Sequence, residues 1–475
     1  MRTAGATWIG WSAVLLTLGF AVGLTLAHEG ALLTIGFAPF CLALGVVLFR
    51  KYPRQYVFYS FSLWMFTPLV RRLADWQSSY HAASFIMLAP LLVSGLSGVT
   101  VFRRAGRLGS PALLPFTTIL VLLGLAFLMG LAQNGAASAA LGLLNWGAPI
   151  LFAMHLLLRH RSAEEFEGAL FDAMAWGVLG IGLYGLFQYF VAPQWDAFWM
   201  LQSGMTSIGT PVPRKIRLFS TMNSPGPMAA MLVVGLLALL ARGGTMRWVA
   251  SGPGFVALLL SLGRAAWGGF LLGALVLIST SPPKRAFQYL AIGCVVIGLA
   301  TPLLFFEPVS SVVLQRVNTL NAADQDVSLR ARLELYRNST SAAQSMLGSG
   351  LGASGAATRM AQDQATYDQN SVIDSGLVEL LMNFGLPGTA IFLVAVIVIL
   401  SRAGLRARRH PSAGLAFSAA TATFAQIAFG PIMSGVVGVV LYSLLALAIS
   451  PRVRAPAKAN VGSRIRGRRQ VPIRA

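Results

Sequence analysis

Residues 306–388 decide how the chain is read: FEPVSSVVLQRVNTL (306–320) opens the stretch, SLRARLELYRNSTSAAQSMLGSGLGASG (328–355) forms its middle, and YDQNSVIDSGLVELLMNFGLPG (367–388) leads out of it. It is the longest polar insertion in a chain otherwise made of apolar runs. Hydrocarbon accepts irregular, ionised segments only where protein or water surrounds them, so this stretch is expected outside the bilayer core. Function is to be sought where it meets the membrane.

Around it, hydrophobic residues make up 56% of the 475 positions and charged residues only 11%, which excludes an ordinary soluble enzyme. A crossing helix needs about 20 apolar residues. Fourteen windows qualify or come close: 8–27, 31–49, 56–70, 82–102, 111–132, 137–158, 170–191, 225–241, 246–262, 265–280, 287–305, 377–400, 413–429 and 431–450. The expected fold is an all-α, polytopic integral membrane protein of 12–14 transmembrane helices. The windows 56–70, 246–262 and 265–280 are short enough to be tilted, merged or partly re-entrant. The positive, apolar N-terminus is read as the first span and not as a signal peptide, because a second span follows directly after His28-Glu29-Gly30.

The net charge of +21 raises the question of a nucleic-acid partner, and its distribution answers it. Arg and Lys gather in RKYPR (50–54), RRAGR (103–107), RHR (159–161), RGGTMR (242–247), PPKR (282–285), RAGLRARRH (402–410) and the basic tail 451–475. With the N-terminus inside, all of these fall on the cytoplasmic side, so topology and attraction to anionic membrane lipid explain the charge and no nucleic acid is implied. The chain then divides into N-terminal transmembrane helices (1–191), an extracytoplasmic loop (192–224), a large extracytoplasmic loop (306–376) with short helices, and C-terminal helices (377–450) before the tail. Arg71-Arg72 is the exception on the outer side, either a helix-end snorkel or part of an entrance for an anionic ligand. Cys41 and Cys294 lie in apolar runs without a CxxC pattern, and no P-loop, strand-borne GxGxxG or HExxH occurs. Metal and cofactor are both expected to be none.

Three blocks together resemble the superfamily of O-antigen ligases and Wzy-type polysaccharide polymerases, over residues 184–400. They are YGLFQYFVAPQWDAFWM (184–200) with RKIRLFSTMNSPGPMAAML (214–232), SLGRAAWGGFLLGALVLI (261–278), and ARLELYRNSTSAAQSMLGSGLG (331–352) with IDSGLVELLMNFGLPG (373–388). The resemblance implies transfer of undecaprenyl-diphosphate-linked oligosaccharides at the periplasmic face of a bacterial inner membrane, without a nucleotide or metal cofactor. A flippase and a chain-length regulator are the companion proteins it implies. The family's His-Asn pair at the start of the last block is replaced here by Asp374-Ser375. That departure favours an exopolysaccharide polymerase over a ligase acting on lipid A-core; a lipid-linked oligosaccharide transporter is the alternative that forms no bond.

A lipid diphosphate needs cations at the outer boundary, and guanidinium grips its oxygens with paired hydrogen bonds. Arg264 stands in the turn between two apolar windows with little other charge nearby, and Arg217, with Arg214 beside it, precedes the window 225–241. Each has a bland alternative, a structural ion pair or a snorkelling helix end. By resemblance Arg332 is a further cation over the leaving diphosphate, and Tyr336 orients that helix or stacks beside sugar; the alternative is an amphipathic surface helix with Arg330, Glu334 and Arg337 near one face, held by an ionic pair. Transfer also asks for a base at the acceptor hydroxyl. Asp374 leads by motif position, with helix capping or an ion pair to an arginine as its alternatives; Glu379 follows, with an ion pair to a basic group inside the bundle or a place at its rim as its alternatives; His28 and His81 trail. Trp195, Trp199 and Phe198 form either a sugar platform or an aromatic belt, and Asn223 either bonds sugar or caps the next helix.

Overall fold

The computed structural model of the chain describes residues 4–159, 163–304, 347–360, 373 and 375–451. Apolar runs become helices because a backbone in hydrocarbon must satisfy its own hydrogen bonds. In chain order the first are α1 (Ala4–Leu26), α2 (Gly30–Lys51), α3 (Pro53–Gln77), α4 (Leu88–Gly95) with α5 (Gly98–Arg103), α6 (Leu114–Gln133), α7 (Ala136–Leu158) and α8 (Ala163–Val191). After the short α9 (Gln194–Gln202) come α10 (Pro225–Arg242), α11 (Thr245–Leu260), α12 (Arg264–Ser279), α13 (Pro283–Leu304), α14 (Gly376–Ala407), α15 (Pro411–Phe424) and α16 (Gly435–Ile449). Among the described residues eight helical spans are long and apolar enough to cross a membrane, the α4–α5 pair counting as one. The protein is an all-α, polytopic membrane protein with extramembranous helical segments.

The helices α7 and α10 have 72% of their apolar windows buried, against 28% for α1, so they stand at the centre and α1 at the rim. Central α16 joins them, buried from Val437 to Ile449 and packed on α7 and α15. The window expected at 56–70 grows at both ends into the 25-residue α3. The difference comes from polar residues: Gln55, Arg71, Arg72 and Asp75 are buried here against neighbouring helices, which hydropathy alone does not register. By contrast α11 and α12 remain 16 residues each, about 24 Å at 1.5 Å per residue and shorter than a bilayer core of about 30 Å.

Helix alternation sends the turns at 27–29, 78–84, 134–135, 192–224, 261–263 and 425–434, with the start of α14, to one end, called here the loop end. Contacts between distant turns tie this end together, such as Gln77 Nε2 donating to Thr25 O at 2.5 Å. The described basic clusters lie at the other end, where Arg54 and Arg242 share Asp172 at 3.5 and 3.0 Å, Arg104 donates to Leu158 O, and Arg406 donates to Ile449 O at 2.6 Å.

Candidate functional site at the loop end

Two polar segments fold down on the loop end. The first, 192–224, is organised from α3. Arg71 and Arg72 are neither snorkelling nor lining an entrance: both are fully buried. Arg71 pairs with Asp75 at 3.2 Å and lies over the Trp199 ring at 4.5 Å. Arg72 Nη1 meets Asp196 Oδ1 at 2.6 Å, and its Nη2 donates to Ser220 O. The other Asp196 oxygen accepts from Gln188 Nε2 at 2.7 Å and Tyr184 OH at 3.0 Å. Taking two charges out of water is costly, and this density of hydrogen bonds is what offsets it.

Trp195 belongs to the same lattice. Its Nε1 donates to Tyr184 OH at 2.6 Å, and its ring meets Trp76 edge-on at 6.1 Å. Trp199 packs with Met200, Ile208, Ile216 and Phe219 in a small core of its own, so these rings serve the folding of the segment. Arg214 is exposed, with φ +65, and lies 6.0 Å from the Phe190 ring. Asn223 Nδ2 reaches Met87 Sδ at 3.9 Å, and its Oδ1 is buried without a hydrogen-bond partner among the described residues. The N-cap position of α10 is Ser224, which makes no side-chain capping bond, and Pro225 follows in the first turn.

Arg217 reaches the turn that leads into Arg264. The backbone of 217–218 clasps the end of α11 through Leu218 N donating to Leu260 O at 3.2 Å, and Arg217 Nε donates to Ser261 O at 2.6 Å. Three residues after Ser261, Arg264 opens α12. Between them Leu262 holds φ +52, a left-handed backbone uncommon for a bulky side chain. Both arginines are half-buried.

The second segment, 347–360, docks by main chain. Leu351 N donates to Ala126 O at 2.8 Å and Ser349 N to Met382 O at 2.7 Å, while Asn134 Nδ2 spans Ser349 O and Leu351 O at 2.7 and 3.1 Å. Such an approach needs glycine: a Cβ on Gly130 would stand 2.1 Å from Leu351 O, and one on Gly350, at φ +75, would stand 2.3 Å from Gly130 N. Beside this segment α14 begins with Ser375, whose Oγ accepts from Val378 N at 3.4 Å, and it breaks at Gly385 (φ 63, ψ −175) where one continuous window was expected.

Glu379 lies one turn into α14 and is 3% exposed. Its Oε1 accepts from Ser434 Oγ at 3.2 Å, and its Oε2 is buried without a hydrogen-bond partner among the described residues. The expected partner was a basic group, and among the described residues no cation pairs with it. Asn383 joins Ser354 Oγ at 2.6 Å to Glu379 O at 2.7 Å, so it bonds to the docked segment and to its own helix.

Asp374, Arg332 and Tyr336 lie outside the described residues, as do Arg330, Glu334 and Arg337. Of the sequence-derived site, the structure ties Arg217 to the turn that Arg264 follows, while Glu379 sits with the docked segment. Sequence reasoning missed the Arg72–Asp196 pair; Asp196 is the lone acid of 192–224, and that was the available signal. Among the described residues no three His, Cys, Asp or Glu side chains gather.

Residues 249–393 match the sequence model of the O-antigen ligase family. The chain carries an O-antigen ligase domain. It runs from α11 into α14 and holds Arg264, the docked glycine segment and Glu379. Arg217 and the 192–224 segment precede the match, so the O-antigen ligase domain receives part of its polar loop end from outside its own boundaries. No curated protein matches the chain.

Proposed function

We propose that the protein is a membrane glycosyltransferase that lengthens undecaprenyl-diphosphate-linked oligosaccharides into exopolysaccharide or O-antigen, in a bacterial inner membrane with the loop end facing the periplasm. The observation that carries this reading is the meeting of Arg217 with the Arg264 turn at the loop end of an O-antigen ligase domain. Two guanidinium groups at one boundary suit a diphosphate, and positive charge there lowers the cost of the developing leaving group. The accumulation of basic clusters at the opposite end supports the orientation.

In the proposed reaction the acceptor hydroxyl oxygen attacks the anomeric carbon of the donor, the bond from that carbon to the diphosphate oxygen breaks, and undecaprenyl diphosphate leaves. The hydroxyl proton passes to a carboxylate. Asp374 is assigned that role by its motif position, and Glu379 is the alternative. A single displacement of this kind inverts the anomeric configuration.

The description of the matched family favours a second reading, transfer of a finished glycan to a terminal acceptor such as lipid A-core. Purified protein reconstituted with defined undecaprenyl-diphosphate repeat units, read by gel ladder and mass spectrometry, separates the readings. A polymerase gives a ladder of repeats. One transfer to lipid A-core without a ladder supports the ligase, and a change of sidedness without a new bond supports a transporter.

A further inference from the structure

The segment that carries Arg214, Lys215 and Arg217 has little regular structure of its own. Between α9 and α10 the described backbone shows one short helical turn, Thr206–Ile208, and an isolated bridge between Gly209 and Ile216. The position of Arg217 is therefore set by what grips the backbone around it. Three residues later Ser220 adopts φ +50, a left-handed conformation that side chains rarely choose unaided. Side chains hold it there from both sides. Gln188 Oε1 accepts from Ser220 N at 2.9 Å and from Phe219 N at 3.2 Å. Arg72 Nη2 donates to Ser220 O, and its guanidinium lies 4.9 Å from the Phe219 ring.

Arg72 and Gln188 are in turn fixed to one another through the two oxygens of Asp196. The grip thus links α3, α8 and α9 before it reaches the segment. At 0% exposure Arg72 does not touch a ligand at the loop end, whereas Arg217 is half-buried beside the Arg264 turn. The two are joined by a short path, from Arg72 to Ser220 O and along three residues to Arg217, whose Nε rests on Ser261 O at 2.6 Å.

We propose that Arg72, locked by Asp196 and Gln188, is a positioning residue for lipid-diphosphate binding, acting through the Ser220 turn on Arg217. This rests on the reading of Arg217 as a donor-binding residue. It also gives the helices that precede the O-antigen ligase domain a part in the activity: they aim a cation at the domain's first turn.

The test is the Kd of undecaprenyl diphosphate for the purified full-length protein, with thermal unfolding followed in parallel. Arg72→Lys keeps a charge opposite Asp196 but lacks the planar fork that reaches Asp196 and Ser220 O together. Its Kd is expected to rise on the order of tenfold, about what the loss of one hydrogen bond to a charged group costs. Arg217→Lys is expected to rise similarly, and the double variant is expected to bind no worse than Arg217→Lys alone, because residues acting through one contact are not additive. A purely structural Arg72 would lower the yield or the melting temperature and leave the Kd of the folded protein unchanged. Should Arg72→Lys fail to accumulate, Gln188→Met leaves the ion pair in place, releases the Phe219 and Ser220 N–H groups, and is expected to raise the Kd in the same direction. An unchanged Kd in Arg72→Lys, or in Gln188→Met where that variant stands in, alongside a raised Kd in Arg217→Lys overturns the positioning role alone. An unchanged Kd in Arg217→Lys overturns the donor site at Arg217 and this role with it.

Discussion

The two polar segments of the loop end are attached to the bundle by different physics. The 192–224 segment is held by charge: two buried arginines on α3 reach Asp196, the Trp199 ring and the Ser220 carbonyl. The 347–360 segment contributes no such pair among its described residues and is held by main-chain hydrogen bonds in a channel floored by Gly130 and Gly142. A buried ion pair fixes one geometry because each partner is costly alone. A glycine channel fixes one because nothing larger than hydrogen fits. The contrast predicts that the first attachment can be replaced as a pair, and that the second cannot be replaced at all.

Asp196→Ala should produce the largest loss, about 3–5 kcal/mol of stability, since it strands the Arg72 charge in the interior. The joint variant Arg72→Met/Asp196→Leu should regain most of that loss, because both buried charges go together. It should not regain affinity for undecaprenyl diphosphate, since the Arg72 bond to Ser220 O goes with them and Gln188 loses its anchor on Asp196. Thermal unfolding beside the binding titration reads both. Recovery of stability and affinity together would mean that the lattice serves folding only.

Gly130→Ala comes next, at about 1–3 kcal/mol for overpacking. The atom it would strike, Leu351 O, belongs to a backbone and cannot swing aside as a side chain would. Protease cleavage near residues 347–360 should rise with the fall in melting temperature. An unchanged melting temperature would show that the glycine channel does not hold this segment.

Much of this was readable in advance at the level of helices. The windows follow the apolar runs, and the basic clusters mark one end. What escaped has a common cause, the distance along the chain between partners. Arg72 finds Asp196 and Ser220 at separations of 124 and 148 residues, and Asn134 finds Ser349 across 215. No local pattern announces such meetings. α3 looked short because its polar residues count against it in hydropathy, yet two of them, Arg71 and Arg72, anchor the 192–224 segment. The glycines of GSGLG (348–352) suit either a flexible turn or a close backbone approach, and only the backbone of α6 beside them decides for the second. The capping role considered for Asp374 is filled by Ser375, a hydroxyl one position later.

Smaller effects should follow at the site itself. Arg264→Lys should weaken undecaprenyl diphosphate binding on the order of tenfold, the loss of one charge-assisted hydrogen bond, with little change in folding. An unchanged Kd would remove Arg264 from the donor site. Glu379→Gln should cost least in stability, less than about 1 kcal/mol, because an amide oxygen can accept from Ser434 in place of the carboxylate. Single-turnover transfer then assigns the base: Asp374→Asn should fall about 10²–10⁴-fold, the range for lost general acid–base catalysis. Wild-type rates in Asp374→Asn with a collapse in Glu379→Gln would move the base to Glu379.

The central claim is that the end bearing both polar segments faces away from the cytoplasm, where lipid-linked sugars are met without nucleotides. Ser354 is buried and bonded to Asn383, so it is a poor reporter. Leu347, 70% exposed at the loop end, and exposed Ser401 near the basic end are better. Cysteines placed singly at these positions, with the exposed Cys294 replaced by serine, can be probed in intact spheroplasts with a membrane-impermeant thiol reagent. The predicted result is labelling of Leu347→Cys and protection of Ser401→Cys until the membrane is opened; labelling of Ser401→Cys with protection of Leu347→Cys would contradict it.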